Sequence, residues 1–428
     1  HPLLYTVRNV IDIDRVKEQV EQHASRSAIV VGGGFIGVEM AENLREAGLD
    51  VTLVEGNAQL LTPFDPELAA ALAQEMEHHG VKLVFSERVQ GFTSPAQGGI
   101  GVKLGQNRVL EADMVILAIG VTPDTAFLQS TGIHLGARGH IIVNEAMQTS
   151  VPHIYAVGDA VEIRDLVLGV SAAIPLAGPA NKQGRIAADQ IAGIPSTYKG
   201  TQGTSIIKVF GLTGASTGSN EKTLQRHNIR YQSVIVHPSS HASYYPGASS
   251  MTLKLLFAED GRILGAQAVG YEGVDKRIDD IAVAIRFGGT VMDLTELELS
   301  YAPPYSSAKD PVNIAGYAAD NILAGRAAVF TYTELQGYDP KQSILVDVRS
   351  RIEHDNGHIP GSLSIPVDEL RDRLNELDTQ KEILVYCQVG LRGYTASRIL
   401  SQHGYMVKNL SGGYKTYKQA AFRPAPLV

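Results

Sequence analysis

A single cysteine, Cys387, stands in a chain of 428 residues. It follows the apolar run Leu384-Val385-Tyr386 and opens the loop Gln388-Val389-Gly390-Leu391-Arg392-Gly393, with a helical stretch expected from about Tyr394. A strand that delivers a sulfur to its C-terminal end, loop N–H groups that curl around it and a helix whose positive end points inward together favour an anionic sulfur nucleophile. Gly390 permits the tight curl, and Arg392 adds positive charge or braces the loop. Cys387 and Arg392 are therefore candidate catalytic residues, whereas Asp347, Arg349 and His358 are expected to be structural.

A second chemistry sits near the other end of the chain. The strand-like Ser27-Ala28-Ile29-Val30-Val31 runs into Gly32-Gly33-Gly34-Phe35-Ile36-Gly37 and then a helical Val38 to Ala47, followed by the strand Asp50 to Glu55. In this order Gly32, Gly34 and Gly37 let the backbone and a helix N-terminus meet a pyrophosphate. Glu55, eighteen residues after Gly37, ends the next strand, where a carboxylate accepts hydrogen bonds from both hydroxyls of an adenosine ribose. It also repels a ribose phosphate, and Gly56-Asn57-Ala58-Gln59 offers no cation to hold one, so NADH is expected over NADPH. Farther on, Gly158-Asp159 ends a short strand, and Pro179 to Ala192, carrying Lys182, reads as a helix.

The elements that must position these groups fill several domains. The composition, 44% hydrophobic and 19% charged, is that of a globular protein too long for one core. The net charge of -8 argues against a nucleic-acid partner. No apolar run approaches the roughly 20 residues of a membrane-spanning helix, and one cysteine forms no internal disulfide, which favours a cytoplasmic location. No metal site is expected. The fold class is α/β, with a Rossmann-like unit in residues 24–143. Residues 1–23 and 144–201 read as flanking segments of a second nucleotide domain, 202–325 as an α+β domain and 329–428 as a compact α/β domain.

Over residues 1 to about 325 the sequence resembles the pyridine-nucleotide disulfide oxidoreductases, in the branch holding coenzyme A-disulfide reductases, persulfide reductases and NADH oxidases. The glycine loop with Glu39-Met40-Ala41-Glu42, the segment Ala118-Ile119-Gly120-Val121-Thr122-Pro123 and the stretch Thr149 to Asp159 carry the resemblance. It implies NADH and FAD as cofactors. Gly120, Gly158, Asp159 and Lys182 then fall on the flavin side, and Glu39 becomes a candidate to orient the nicotinamide. Coenzyme A is implied as substrate or ligand, and a homodimer through residues 202–325. Two stretches, Ser243-Tyr244-Tyr245-Pro246-Gly247 and Tyr301 to Asp310, resemble the interface signature of coenzyme A-disulfide reductases, whose tyrosines approach the partner subunit's sulfur centre. Tyr245 and Tyr305 are taken as proton donors to a leaving thiolate. Members of this family open with an FAD motif and a redox cysteine that are not found here, which reads as N-terminal truncation; reductase activity is accordingly expected of an intact parent.

Residues 329–428 resemble a single rhodanese domain through Leu345 to Arg349, Gly357 to Ser362 and Val385 to Gly393. Arg392 lies five residues after Cys387, one fewer than in the phosphate-binding loop of cysteine phosphatases, and the smaller ring favours sulfane sulfur. The implied activity is NADH- and FAD-dependent reduction of a coenzyme A disulfide, persulfide or polysulfide, joined to sulfane-sulfur transfer on Cys387. Two alternatives stand beside it: an NADH oxidase or peroxidase with an accessory sulfurtransferase, and a sulfur-binding or sensing module without turnover.

Overall fold

The computed structural model describes residues 1–22 and 25–426. The first domain runs β1 (Leu4–Thr6), α1 (Val10–Gln22), β2 (Ser27–Val31), α2 (Phe35–Glu46), β3 (Asp50–Val54), α3 (Pro66–His78) and β4 (Lys82–Val84). A three-stranded antiparallel meander of β5 (Gly91–Thr93), β6 (Ile100–Lys103) and β7 (Val109–Ala112) leads into β8 (Met114–Leu117). The parallel sheet has the order β1-β8-β2-β3-β4. Ala28 to Val31 and Met114 to Ile116 are buried on both faces, which is why these strands read as unbroken apolar runs. Within the segment expected to close a flavin domain, β1 lies at the edge of this sheet, pairing Leu4 with Val115. The backbone ladder to β8 assigns the strand here, a partnership that a three-residue run cannot announce.

Next come β9 (Ile141–Ile142), β10 (Val161–Arg164) and β11 (Ser171–Ala172), which form one small sheet, and α4 (Ala177–Ile191). The following domain contains β12 (Ser205–Val209), β13 (Leu212–Gly218), α5 (Glu221–Arg226), β14 (Gln232–Val236), β15 (Thr252–Phe257) and β16 (Ile263–Gly270). These strands make an antiparallel sheet ordered β12-β13-β16-β15-β14. It is backed by α6 (Val274–Arg286), α7 (Val291–Glu296) and α8 (Pro311–Leu323), which bury Val274, Ile278, Ile281 and Val312 against the strands. Lys254 of β15, 2% exposed, meets Asp65 at 2.9 Å, Glu67 at 2.5 Å and Glu221 at 3.1 Å. Burial alone would push this lysine down, but the three carboxylates outweigh it and hold it charged. The cluster fastens the N-terminus of α3 to the second sheet.

The C-terminal domain comprises β17 (Val329–Phe330), α9 (Tyr332–Leu335), β18 (Ser343–Asp347), α10 (Arg351–Asp355), β19 (Leu363–Ser364), β20 (Glu382–Tyr386), α11 (Leu391–Gln402), β21 (Val407–Leu410) and α12 (Gly413–Ala420). Its sheet is wholly parallel, ordered β17-β21-β20-β18-β19. It docks on the rest of the chain through α12 and its flanks. Ser411 Oγ accepts the Ile235 N–H at 2.8 Å, His237 Nε2 lies 2.8 Å from Thr416 Oγ1, and Lys415 Nζ donates to Ser250 Oγ at 2.7 Å. Phe422 packs against the core that contains α3, and the Ala425 N–H donates to Glu77 Oε1 at 2.7 Å.

Candidate functional sites

Between β2 and α2 the chain turns so closely that a Cβ on Gly37 would lie 1.8 Å from the Gly32 carbonyl oxygen. Only glycine lets the helix start directly over the strand end. Gly34 is the N-cap of α2; no side chain caps the helix, and the space beyond Gly34 is open. The first-turn N–H groups therefore face an open groove of about 1970 Å³, as a pyrophosphate requires. Glu55 Oε2 accepts the Gly33 N–H at 2.6 Å, and Oε1 accepts the Asn57 N–H at 2.7 Å. Asn57 Nδ2 donates to the same Oε1 at 2.6 Å, so these bonds fix the carboxylate on the groove wall and leave a lone pair on Oε2 for a ribose hydroxyl. The residues thus fit a dinucleotide.

The same groove is lined by Gly32, Gly34, Glu39, Glu55, Gly120 and Asp159, so the structure unites the nucleotide loop with the candidate flavin-side acid. Gly37 is buried beneath it. Gly158 is aligned by Gln183, whose Oε1 accepts its N–H at 2.7 Å. Gln183 is 1% exposed and carried no signal in the sequence beyond its place on a helix. That helix, α4, begins at Ala177, two residues before the expected Pro179, so Ala177 and Gly178 line the groove while the exposed Lys182 does not. Arg88 also lines the groove, beside Gly56. A cation absent from Gly56 to Gln59 thus comes in from the segment after β4.

The two tyrosine stretches meet through a buried arginine. Arg277 Nη2 donates to Asp310 Oδ2 at 2.9 Å, to the Ser240 carbonyl at 2.9 Å and to Ser306 Oγ at 3.2 Å. Burial works to raise Asp310, but the hydrogen bonds from Ser306, the Val312 N–H and Arg277 prevail and hold it below the usual carboxylate range. The Ala242 N–H closes the junction on the Ser306 carbonyl. The hydroxyls brought together are those of Tyr244 and Tyr301, 3.3 Å apart. That hydrogen bond pushes the Tyr244 phenol above its ordinary value. Of the expected pair, Tyr245 rests edge-on against His241 and Tyr305 is 72% exposed.

In the C-terminal domain β20 delivers Cys387 to the strand end, where it is 1% exposed. The Gly390 N–H lies 3.2 Å from its Sγ. Gly390 has φ 102° and ψ -28° and caps α11, which begins at Leu391 and not at Tyr394. Arg392 therefore belongs to the first helical turn. Its guanidinium is held by Glu353, with Nη1 to Oε2 at 2.7 Å and Nη2 to Oε1 at 2.6 Å. Glu353 also closes a capping box with Ser350 at the start of α10. These partners, Arg392 first, bring its carboxyl from 4.5 to about 2.

Arg349 braces the cradle from below. It pairs with Asp347 at 2.6 Å, donates to the Gly357 carbonyl at 2.8 Å and lies 4.1 Å from the centre of the Tyr414 ring. The first turn of α12 returns to the loop, as the N–H groups of Tyr414 and Lys415 donate to the carbonyls of Cys387 and Gln388. Such a cradle stabilises a sulfur anion with backbone dipoles. Glu353 and α12 were not expected at this site, since each lies far from Cys387 in sequence.

Residues 3–184 match the pyridine nucleotide-disulphide oxidoreductase family, residues 204–311 its dimerisation domain and residues 332–420 the rhodanese-like domain. The coenzyme A disulfide reductase of Staphylococcus epidermidis is 36% identical over 317 residues, 74% of this chain and 71% of that protein. Among solved structures, reduced Bacillus anthracis CoADR-RHD superposes with a TM-score of 0.94 at 51% identity, covering 98% of this chain and 75% of that one. The NAD-dependent persulfide reductase from A. fulgidus gives 0.89 at 35% identity, covering 97% and 76%.

Proposed function

The chain belongs to the pyridine nucleotide-disulphide oxidoreductases and carries a rhodanese-like domain, and from that premise we propose that it joins NADH- and FAD-dependent reduction of a coenzyme A disulfide, persulfide or polysulfide to sulfane-sulfur transfer on Cys387. The observation that carries this reading is the presence, in one chain, of a dinucleotide groove and a separate sulfur cradle with the Gly390 N–H 3.2 Å from Cys387 Sγ. When bound, the two cofactors supply a hydride and a two-electron relay. Gly32, Gly34 and Gly37 admit the pyrophosphate of NADH at the N-terminus of α2, and Glu55 takes its ribose. Gly120, Gly158 and Asp159 serve the flavin side, Lys182 lying outside the groove, and Glu39 orients the nicotinamide. The carboxylate of Glu55 favours NADH, although Arg88 stands close by.

Cys387 is the sole cysteine of the 428 residues and, lying in the sulfurtransfer loop, is not proposed as the flavin-facing sulfur of the reductase. The tyrosines protonate or hydrogen-bond the leaving thiolate. The 3.3 Å pairing of Tyr244 with Tyr301 adds these two to Tyr245 and Tyr305 as donors. The dimerisation domain supports a homodimer, and no described helix is long and apolar enough to cross a membrane. A cytoplasmic location remains part of the proposal.

The test is sulfur transfer to cyanide. Loading with a sulfur donor is expected to block alkylation of Cys387, and Cys387→Ser to reduce thiocyanate formation to background. Retained transfer in that variant overturns the assignment. In a parent chain with a flavin-facing cysteine, NADH oxidation by coenzyme A disulfide, persulfide or polysulfide is expected, faster than with NADPH. Inertness toward all three overturns the reductase half.

A further inference from the structure

Each cationic side chain placed around the Cys387 loop already has a partner, a carboxylate for Arg349, His354 and Arg392 and a neutral group for His358 and Lys415. Arg349 is buried against Asp347, and His354 Nδ1 lies 3.1 Å from the same carboxylate. His358 stacks on His354 and bonds its carbonyl through Nδ1. Lys415 follows the loop on α12 but extends its ammonium to Ser250 of the neighbouring domain. Arg392 remains, and it feels the Cys387 sulfur, yet Glu353 takes both terminal nitrogens in a bidentate fork. What is left to greet a donor is the loop backbone and an apolar lip, with Leu391 72% exposed.

We propose that Glu353 is a specificity-determining residue of the sulfurtransfer site: by cancelling Arg392 it turns the site away from small dianionic donors such as thiosulfate and toward organic persulfides whose sulfane sulfur is borne on an uncharged chain. This rests on the reading of Cys387 as the sulfur acceptor. Thiosulfate carries two charges next to the sulfur it gives up. Approaching this mouth, it gains little from a neutralised arginine and is repelled by the carboxylate that neutralises it. An organic persulfide sets its alkyl stem against Leu391 and brings only the reacting sulfur to the loop N–H groups. In the transfer, the Cys387 thiolate attacks the outer sulfur of R–S–SH. The donor S–S bond breaks as the bond to Cys387 forms, its electron pair leaves on R–S⁻, and the transferred sulfur keeps its proton. With thiosulfate the same attack releases sulfite.

Glu353→Gln tests this, because glutamine's one oxygen can still close the capping box with Ser350 while its amide N–H₂ no longer accepts from Arg392 and the charge is lost. The readout is the ratio of kcat/KM for thiosulfate to that for N-acetylcysteamine persulfide, with cyanide as acceptor, in the full chain. The ratio is expected below one in the unmodified protein. In Glu353→Gln it should rise about tenfold, the low end of charge-steering effects, and that gain should shrink as ionic strength increases. Arg392→Gln, which leaves the carboxylate unopposed, should lower the ratio further. A ratio above one in the unmodified protein, or one unmoved by Glu353→Gln, overturns the proposal. Transfer from neither donor would instead strike down the sulfurtransfer assignment beneath it.

Discussion

Arg277 ties two functional stretches with one guanidinium, and it is 1% exposed. Replacing it by leucine strands Asp310, 2% exposed, without its counter-charge, a loss of about 3–5 kcal/mol. The expected outcome is a lower denaturation midpoint for Arg277→Leu and, in a parent chain with a flavin-facing cysteine, slower reductase turnover as Tyr244 and Tyr301 separate. The pH dependence has a definite sign. Asp310 lies below its ordinary 3.8 in the folded protein, so its contribution is complete above 3.8 and is lost as the pH falls through the folded value. The gap between protein and variant should therefore narrow in acid, which urea titrations over that range would measure. The Cys387 loop and the glycine loop were legible in the sequence as a strand, a turn and a helix because their patterns are local. Arg277, Gln183 and Glu353 were not, since each acts on a partner 25 to 39 residues away and reads alone as an ordinary polar residue of a helix.

At the scale of elements, the β20-loop-α11 unit depends on Gly390 at φ 102°, a region that side chains with a Cβ rarely adopt. Gly390→Ala should cost about 1–3 kcal/mol and displace the N–H that faces Cys387 Sγ. The expected result is a folded protein with a lowered melting temperature and sulfurtransfer reduced well beyond what the melting shift explains; unchanged activity would remove the loop curvature from the mechanism. By sequence Gly390 reads as a loop residue ahead of a helix at Tyr394, whereas it is itself the cap of a helix that begins at Leu391. The buried parallel strands β2, β3, β8 and β20 were legible from their apolar runs. β13 was not: Leu-Thr-Gly-Ala-Ser-Thr-Gly has the composition of a turn. It forms the interior of a sheet because β12 and β16 pair with it on both sides and Leu72 of α3 packs on Gly214.

For the whole molecule, the seam between the C-terminal domain and the antiparallel sheet contains His237, bonded to Thr252 and Thr416. Burial, with Lys415 nearby, brings it from the ordinary 6.5 to about 3. The folded state therefore binds fewer protons than the unfolded chain between these values. Its stability should be full above 6.5 and decline as the pH falls toward 3. Hydrogen exchange is expected to show loss of protection first along β14 and α12 as the buffer is taken from pH 7 to pH 5, and a His237→Gln variant should flatten that response. The seam was not readable from the motifs, because its partners are as far apart as His237 and Thr416. The same separation governs timing. The bond from Ala425 to Glu77 spans 348 positions, and domains emerging from the ribosome fold in order at about 5–20 residues per second. The nucleotide domain is thus complete tens of seconds before α12 exists, and for that interval the face of α3 it will cover stands open to water, chaperones and other nascent chains.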